Sequence, residues 1–304
     1  MTSVLEFENI SRSFKKGVAV PDRINFSMAP GEVVGLLGRN GAGKTTLIRI
    51  AMGMLYPHHG AVRVFGLSPT RDPVAVKRRV GYVAEDQVFP SRLTIAELVD
   101  FHRYLFPRWN EALQRQLMDR FQLAGSAKIK QLSKGQARQV ALLCAVCHRP
   151  ELLILDEPAG GLDPAVRREF LETSIQLLNR EGTAILFSSH HMTDVERIGG
   201  RVVLLEKGKV RLDRGLEDLR DETCVAMVPR NSVSDAEVLE RLPGCLGVRE
   251  VLGEWHAVFE GSAETVREVL DISLGVAGIR CAGMPLEELF IELVGGDRHG
   301  VAAA

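Results

Sequence analysis

The alternation of apolar and polar residues predicts where strands and helices lie along the chain. Residues 4–8 (VLEFE) alternate, which indicates a strand with one buried face, and we expect this strand at the edge of a sheet. Residues 31–37 (GEVVGLL) and 151–157 (ELLILDE) contain continuous apolar runs, which are typical of strands buried on both faces of a parallel sheet. Shorter apolar stretches predict further strands at 24–28, 60–66, 80–84, 183–188 and 202–205.

Helical patterns occupy the segment 86–150. Thr94 with Glu97 has the spacing of a capping box, and Asn110 is placed to cap a second helix. We interpret this segment as a helical subdomain inserted into a parallel-sheet core. Its helices are predicted to run to residue 104, to residue 121 and over 136–148. Outside it, helices are predicted at 46–55, 73–79 and 164–180.

The C-terminal part of the chain predicts a second domain. Residues 213–222 are charged and irregular, and we place the boundary there, between 1–218 and 219–304. The patterns beyond it predict the order strand, helix, strand, strand, helix, strand, which is typical of a ferredoxin-like unit. A final helix is expected to start at Pro285. The expected fold is therefore an α/β domain followed by a small α+β domain.

The composition excludes several classes of protein. The 304 residues carry 38 basic and 39 acidic side chains. The chain therefore lacks the overall excess of positive charge that would predict binding to nucleic acid. The first ten residues lack the features of a signal peptide, and the longest apolar run, 140–147, is too short to span a membrane. We therefore expect a cytosolic protein with five reduced cysteines, and we expect Cys144 and Cys147 to pack in the core.

The first candidate for chemistry is GRNGAGKTT at residues 38–46, between a predicted strand and a predicted helix. It fits the phosphate-binding pattern G-x-x-x-x-G-K-[ST]. Gly41 and Gly43 allow backbone N–H groups to approach phosphate oxygens. Lys44 reaches the β- and γ-phosphates, and Thr45 offers a hydroxyl to Mg²⁺. The residues assigned to the nucleotide here are Gly38, Asn40, Gly41, Ala42, Gly43, Lys44, Thr45 and Thr46.

Two carboxylates end the apolar strand at 151–157. The carboxyl ends of the strands are where parallel sheets bind their ligands. Asp156 suits the coordination shell of Mg²⁺, and Glu157 is placed to orient and deprotonate an attacking water. Together with the glycine-rich loop, these carboxylates predict a site that hydrolyses a nucleoside triphosphate.

A second phosphate-binding helix N-terminus is predicted at LSKGQ, residues 132–136, through Ser133 and the backbone near Gly135. The motifs together resemble those of the ATP-binding cassette (ABC) ATPases. GRNGAGKTT is similar to the Walker A motif, LSKGQ to the signature and LLILDE to Walker B, while GLD (161–163) is similar to the D-loop and SSH (188–190) to the switch-histidine motif. The resemblance covers residues 4 to about 220. It implies a P-loop ABC cassette with a parallel-sheet core, an antiparallel β subdomain and a helical subdomain.

The resemblance also implies that two copies of the chain close head-to-tail around two molecules of ATP with Mg²⁺. Asp163 of the D-loop is then among the nucleotide-binding residues, and His190 touches the γ-phosphate. Because neighbouring side chains at a strand end point in opposite directions, we expect only one of His190 and His191 to face the nucleotide, and we expect no metal chelation by the pair. Each ATP would lie between the Walker A motif of one copy and three residues of the other, Ser133, Gly135 and Gln136.

At three positions the match to the family either has an alternative or departs from the usual residue. Phe14 matches the aromatic residue that stacks on adenine, with a place in the core as the alternative. Lys134 stands where the family most often has glycine. Glu85 occupies the position of the family's Q-loop glutamine, although Gln87 could fill that role through a shifted loop. The expected metal ligands are Thr45, Asp156 and Glu85.

The resemblance implies an ATPase that serves as the ATP-binding and ATP-hydrolysing subunit of an ABC transporter. It would drive a separate membrane permease from the cytoplasmic face of the cell membrane. The small C-terminal domain and the ending LEELFIELV resemble those of bacterial exporters, which favours export. The alternative is a soluble ABC ATPase that acts on a macromolecular partner, although such relatives usually carry two cassettes or a long coiled coil.

Overall fold

The computed structural model describes residues 3–15, 18–160, 162, 167, 170–171, 182–233, 235–275, 279–283, 286 and 289–290. The chain divides into two compact units, residues 1–213 and 214–304. Three predicted features lie outside the described residues: Asp163, the start of the predicted final helix at Pro285 and most of the predicted helix at 164–180. Within the described ranges, no helix is both long and apolar enough to cross a membrane.

The strands of the first unit form an antiparallel sheet, a parallel-core sheet and a small hairpin. In chain order they are β1 (Leu5–Ser11), β2 (Ser13–Lys15), β3 (Val18–Ala19), β4 (Ile24–Met28), β5 (Val33–Leu37), β6 (His59–Val64), β7 (Val80–Val83), β8 (Leu152–Leu155), β9 (Ala184–Ser189), β10 (Arg201–Glu206) and β11 (Lys209–Gly215). The hairpin of β2 and β3 has no apolar pattern that would predict it, because its strands have only three and two residues.

The antiparallel sheet has the strand order β4-β1-β6. Its central strand is β1, because Leu5 is paired with Met28 on one side and with Val64 on the other. The prediction that residues 4–8 form an edge strand is therefore wrong. Alternation shows which face of a strand is buried, but it says nothing about whether both edges of the strand are hydrogen-bonded.

The parallel core has the order β11-β10-β5-β9-β8-β7, and neighbouring strands from β10 to β7 are parallel. Every residue of β5, β8 and β9 is buried, as the uninterrupted apolar runs predict. Parallel strands bring their carboxyl ends to the same edge of a sheet. The residues that follow β5, β8 and β9 therefore meet at one edge.

The helical segment lies between β7 and β8, which are neighbours in the sheet, so it is an insertion into the parallel core. Thr94 and Glu97 form the predicted capping box, and Asn110 caps the second helix. Cys144 and Cys147 are buried, and burial raises the pKa of Cys147 to about 12. In the first unit, the helices whose full extent lies among the described residues are α1 (Lys44–Ala51), α2 (Pro73–Lys77), α3 (Ile95–Leu105), α4 (Glu111–Arg120), α5 (Lys134–Val146) and α6 (Met192–Ile198), with a 3₁₀ turn at Ile129–Gln131.

The second unit contains a four-stranded sheet in the order β13-β14-β12-β15, in which all neighbours are antiparallel. After the leading helix α7, its elements follow the predicted strand-helix-strand-strand-helix-strand order. Alternate residues of β12, including Cys224 and Val228, lie in a core with Leu270. The elements whose full extent lies among the described residues of this unit are α7 (Leu216–Asp221), β12 (Thr223–Pro229), α8 (Ala236–Glu240), β13 (Cys245–Val251), β14 (Glu254–Glu260), α9 (Ala263–Leu274) and β15 (Arg280–Gly283).

Candidate functional site

The glycine-rich loop connects β5 to α1 at the carboxyl edge of the parallel core. Gly41 and Gly43 have φ angles of +84° and +107°, which side chains with a Cβ rarely adopt. A Cβ on Gly38 would lie 2.5 Å from the carbonyl oxygen of Leu205, so this position requires glycine for space. The first turn of α1 contains no acidic residue, so the positive end of the helix dipole is not offset there. The loop therefore has the backbone shape and the field of an anion site.

The Lys44 side chain folds back into this loop and is only 5% exposed. Its Nζ donates a hydrogen bond of 2.6 Å to the carbonyl of Gly38 and lies 3.1 Å from Oε1 of Glu157. The Glu157 side chain is 9% exposed, so this ion pair is shielded from water. The buried ammonium group is thus held at the loop, where it can meet a bound anion.

Asp156 follows β8 and faces the hydroxyl of Thr45. Its Oδ1 accepts hydrogen bonds from Thr45 Oγ1 at 3.1 Å and from Ser188 Oγ at 2.8 Å. Burial raises the pKa of Asp156, and the two hydroxyls oppose that rise. A buried carboxylate beside a hydroxyl forms the oxygen donor set that Mg²⁺ prefers, and a cation at this place would stabilise the charged form. The residues present therefore fit the predicted metal.

Glu157 is held in a backbone conformation that is rare for a residue with a side chain, with φ at +45°. Such a conformation costs about 1–3 kcal/mol and persists only where its surroundings fix it. Here the N–H of Glu157 donates to Ser188 Oγ at 2.8 Å, and its carbonyl accepts from the N–H of Gly160 at 3.0 Å. The conformation places the carboxylate between two basic side chains, with Oε1 at Lys44 and Oε2 2.8 Å from Nδ1 of His190.

His190 and His191 follow the end of β9, and their rings lie together, with centroids 4.0 Å apart and planes inclined by 43°. The prediction that the two side chains point in opposite directions is wrong. The strand ends at Ser189, so the alternation of a strand does not extend to these residues. The pKa of His191 is lowered by partial burial and by the neighbouring His190. Among the residues that the structure describes, no group of His, Cys, Asp and Glu is arranged to hold a metal ion by itself.

Asp194 anchors the segment that carries His190. It is buried in the first turn of α6 and accepts hydrogen bonds from Arg167 at both carboxylate oxygens, with 2.7 Å between Arg167 Nε and Oδ1. Ser189 Oγ also donates to Asp194 at 2.6 Å and accepts from the N–H of His191 at 3.0 Å. The Ser189 hydroxyl therefore connects the buried Asp194 carboxylate to the backbone N–H of His191, the residue after His190.

Phe14 lies on the β2–β3 hairpin with 63% of its surface exposed, so the alternative that places it in the core does not hold. The guanidinium carbon of Arg12 lies 5.2 Å from the centre of the ring. The ring is thus open to a planar ligand.

Glu85 and Gln87 differ in the surroundings of their side chains. Partial burial raises the pKa of Glu85, and the negative charges of Asp156 and Glu157 raise it further. Glu85 is therefore within electrostatic range of both carboxylates. The side chain of Gln87 instead accepts a hydrogen bond of 3.3 Å from the N–H of Ala84, within its own loop.

Ser133 is the N-cap of α5 and is exposed together with Lys134. Its hydroxyl accepts from the N–H of Gln136 at 3.2 Å, while the Gln136 side chain accepts from the N–H of Ser133 at 3.0 Å. This capping box is why α5 begins two residues before the predicted start. The N-terminus of α5 faces solvent, where a second molecule can approach it.

Sequence reasoning missed the importance of Ser188, Arg138 and Asp194. Ser188 contacts both Asp156 and Glu157, yet it lies more than 30 residues away from them in the chain. The signal available was its place at the end of a predicted buried strand, directly before the candidate histidine. The guanidinium group of Arg138 contacts the backbone carbonyl of Glu157, 19 positions further along the chain.

Comparison with known proteins gives the family. The ABC transporter family profile matches residues 21–160. The chain is 33% identical over 303 residues to the Nod factor export ATP-binding protein I of Mesorhizobium japonicum, with 97% of this chain and 87% of the relative covered. It is 34% identical over 304 residues to the protein of the same name in Rhizobium meliloti, with 97% and 89% covered.

Solved structures agree. An ATP-binding subunit of an ABC transporter matches with a TM-score of 0.65 and 30% identity, over 72% of this chain and 92% of that chain. A dimeric ATP-binding cassette in a post-hydrolysis state, bound to ADP and Pi, matches in fold with a TM-score of 0.62 and 20% identity, over 70% and 98%. The extent of these matches and the order of the motifs lead to one conclusion: this chain belongs to the family of ABC transporter ATP-binding proteins.

Proposed function

We propose that this chain hydrolyses MgATP as the motor subunit of an exporter whose membrane permease is a separate chain. The observation that carries the proposal is the position of the Glu157 carboxylate, between Lys44 on one oxygen and His190 on the other. A carboxylate held in this way can exchange a protein partner for an attacking water without moving its backbone.

Each residue has a role that follows from its position. The loop from Gly38 to Gly43 binds phosphate oxygens, and Lys44 carries the positive charge that neutralises them. Glu157 orients the attacking water and accepts its proton, and His190 holds the carboxylate of Glu157 in place. Thr45 and Asp156 would hold Mg²⁺, which supplies Lewis-acid stabilisation of charge on phosphate when it is bound. Glu85 is proposed as a third protein ligand of the Mg²⁺.

Phe14 is assigned the role of stacking on the base of the nucleotide, because its exposed ring offers a stacking surface. Ser133, Gly135 and Gln136 would bind the nucleotide of a second copy, because the N-terminus of α5 is exposed and a second chain can approach it. Asp163 is proposed to contribute at the same interface. The site is therefore complete only in a homodimer, with two nucleotides between the two chains.

Coupling to a permease and the direction of transport rest on the relatives. Several of the proteins that align along nearly the whole chain, including its C-terminal unit, are named as Nod factor export ATP-binding proteins, and others are named only as ABC transporter ATP-binding proteins. We infer that the chain works at the cytoplasmic face of the membrane. Purification of the tagged chain from solubilised membranes should recover a polytopic membrane protein, whereas recovery of ribosomes or DNA would contradict this assignment.

The hydrolytic role is tested by Glu157→Gln, with Glu151→Gln as the matched control. Glu151 lies directly before β8, and Glu157 lies after the same strand. The Glu151 side chain is exposed and forms an ion pair with Arg79. We expect the Glu157 variant to lose at least about 10²-fold in kcat, while the affinity for ATP is retained. The control should keep the turnover of the wild type. Unchanged turnover in Glu157→Gln would refute the assigned base.

A further inference from the structure

The Arg138 side chain connects the helical segment to the carboxyl edge of the sheet. Arg138 lies on α5, five residues after the cap Ser133, and its side chain is half-buried. Its Nη1 donates to the carbonyl of Glu157 at 2.9 Å, and its Nη2 donates to the carbonyl of Glu85 at 2.8 Å. A longer bond of 3.4 Å joins Nη2 to the carbonyl of Gly160. One guanidinium group thus binds the loop that follows β7 and the loop that follows β8.

Both loops carry a carboxylate of the site, and the contact is to their backbone. Glu157 has its φ angle at +45°, so the direction of its carboxylate depends on what fixes its peptide groups. Ser188 holds the N–H side of that residue and Arg138 binds its carbonyl side. Without the guanidinium group, the carbonyl of Glu157 would keep only the hydrogen bond from the N–H of Gly160.

We propose that Arg138 is a positioning residue for hydrolysis, which fixes the backbones of Glu157 and Glu85 relative to α5. The proposal rests on the proposed function, because Glu157 must be the base for its position to matter. Since α5 also carries Ser133 at its exposed end, a displacement of α5 would be transmitted through Arg138 to the base. Closure against a second copy is therefore linked to the alignment of Glu157.

The geometry requires an arginine. A guanidinium group is planar and presents several N–H donors in fixed directions, so it can bind carbonyls of two loops at once. A lysine keeps the positive charge, but its three N–H donors are all on one nitrogen at the end of a flexible stem and do not match the fixed, planar directions of a guanidinium group. The Arg138→Lys variant therefore distinguishes two roles of Arg138. One is to orient the two loops, and the other is to provide a counter-charge to the nearby carboxylates Glu85, Asp86, Asp156 and Glu157.

The test compares Arg138→Gln and Arg138→Lys with the wild type, and Arg115→Gln is the matched control. Arg115 lies on α4 of the same helical segment, and its side chain is exposed. The measurements are kcat and KM for ATP, the equilibrium Kd for ATP without turnover, and the thermal unfolding midpoint. We expect Arg138→Gln to lower kcat about 10²-fold, the size of a misplacement by about 1 Å, with Kd for ATP within about two-fold of the wild type. Arg138→Lys should recover only part of kcat, and Arg115→Gln should match the wild type.

The outcomes separate this inference from the proposed function. A wild-type kcat in Arg138→Gln, or full recovery in Arg138→Lys, would overturn the positioning role and leave the ATPase assignment intact. Loss of ATP binding and of folding in both Arg138 variants would show a purely structural residue and would also overturn it. No hydrolysis by the wild-type chain, alone or with its permease, would overturn the proposed function itself.

Discussion

Replacement of Ser188 by alanine tests the site through one buried hydroxyl. Ser188 is fully buried, and its Oγ donates to Asp156 at 2.8 Å while it accepts from the N–H of Glu157 at 2.8 Å. Alanine fits the same space but provides neither bond. The buried N–H of Glu157 would lose its acceptor, and Asp156 would keep only Thr45 of its two hydroxyl donors.

The magnitude follows from these two losses. An unsatisfied buried N–H costs about 1–3 kcal/mol, and a hydrogen bond to a charged group contributes about 1.5–3 kcal/mol. We therefore expect Ser188→Ala to lower the free energy of unfolding by about 2.5–6 kcal/mol at neutral pH. The released backbone of Glu157 should also lower kcat by at least about 10-fold, because the base is no longer aligned.

The cost should depend on pH in a definite direction. Burial already raises the pKa of Asp156 above its unfolded value, so its charged form is disfavoured in the folded protein. The Ser188 hydroxyl stabilises that charged form, and its removal raises the pKa further. The difference in unfolding free energy between the wild type and the variant is therefore largest at neutral pH. It should shrink as pH falls through the pKa of Asp156, and the contribution of the Glu157 N–H should remain.

The assay is urea unfolding at several pH values, together with ATPase kinetics. Thr183→Val is the control, because Thr183 is buried just before the other end of β9 and donates one bond of 3.0 Å to the carbonyl of Pro150. Its loss should cost about 1 kcal/mol, without the pH dependence and without a change in kcat. If Ser188→Ala matched Thr183→Val in stability, pH dependence and kcat, the assignment of Ser188 as the link between the Asp156 carboxylate and the Glu157 backbone would be refuted.

Two further predictions follow from single contacts. Phe14→Ala should weaken ATP binding by about 1–3 kcal/mol in a fluorescence titration, as expected for loss of base stacking, while Phe14→Tyr retains the affinity; equal affinity in the alanine variant would remove Phe14 from the site. Asp194→Asn leaves the guanidinium of Arg167 without its counter-charge and should lower the free energy of unfolding by about 3 kcal/mol. Glu111→Gln, at the exposed pair with Arg103, should change it by less than about 1 kcal/mol, and equal effects in urea unfolding would contradict the buried anchor.

Local signals in the sequence predicted most of the architecture. Apolar runs identified β5, β8 and β9, and caps identified α3 and α4, because each depends on residues a few positions apart. The glycine-rich loop was predictable for the same reason. Its positive φ angles at Gly41 and Gly43 are a property of short-range backbone geometry.

Features that depend on distant partners were not predictable. Ser188 binds residues 31 and 32 positions away, and Arg138 contacts Glu85 across 53 positions, so no local pattern carries these bonds. The central place of β1 depends on pairing with β6, far along the chain. The joint position of His190 and His191 depends on where β9 ends. Tertiary contacts decide the bonds of Ser188 and Arg138 and the place of β1, whereas sequence periodicity reports only which face of an element is buried.

The central claim is that ATP is bound between two copies of this chain and hydrolysed there through Glu157. The most direct measurement is the mass in solution of the Glu157→Gln variant, by light scattering coupled to size exclusion, with and without MgATP. The account predicts one chain without nucleotide and two chains with MgATP, and predicts that Ser133→Arg, at the exposed start of α5, prevents the increase. A single chain that binds ATP tightly and never pairs would contradict it.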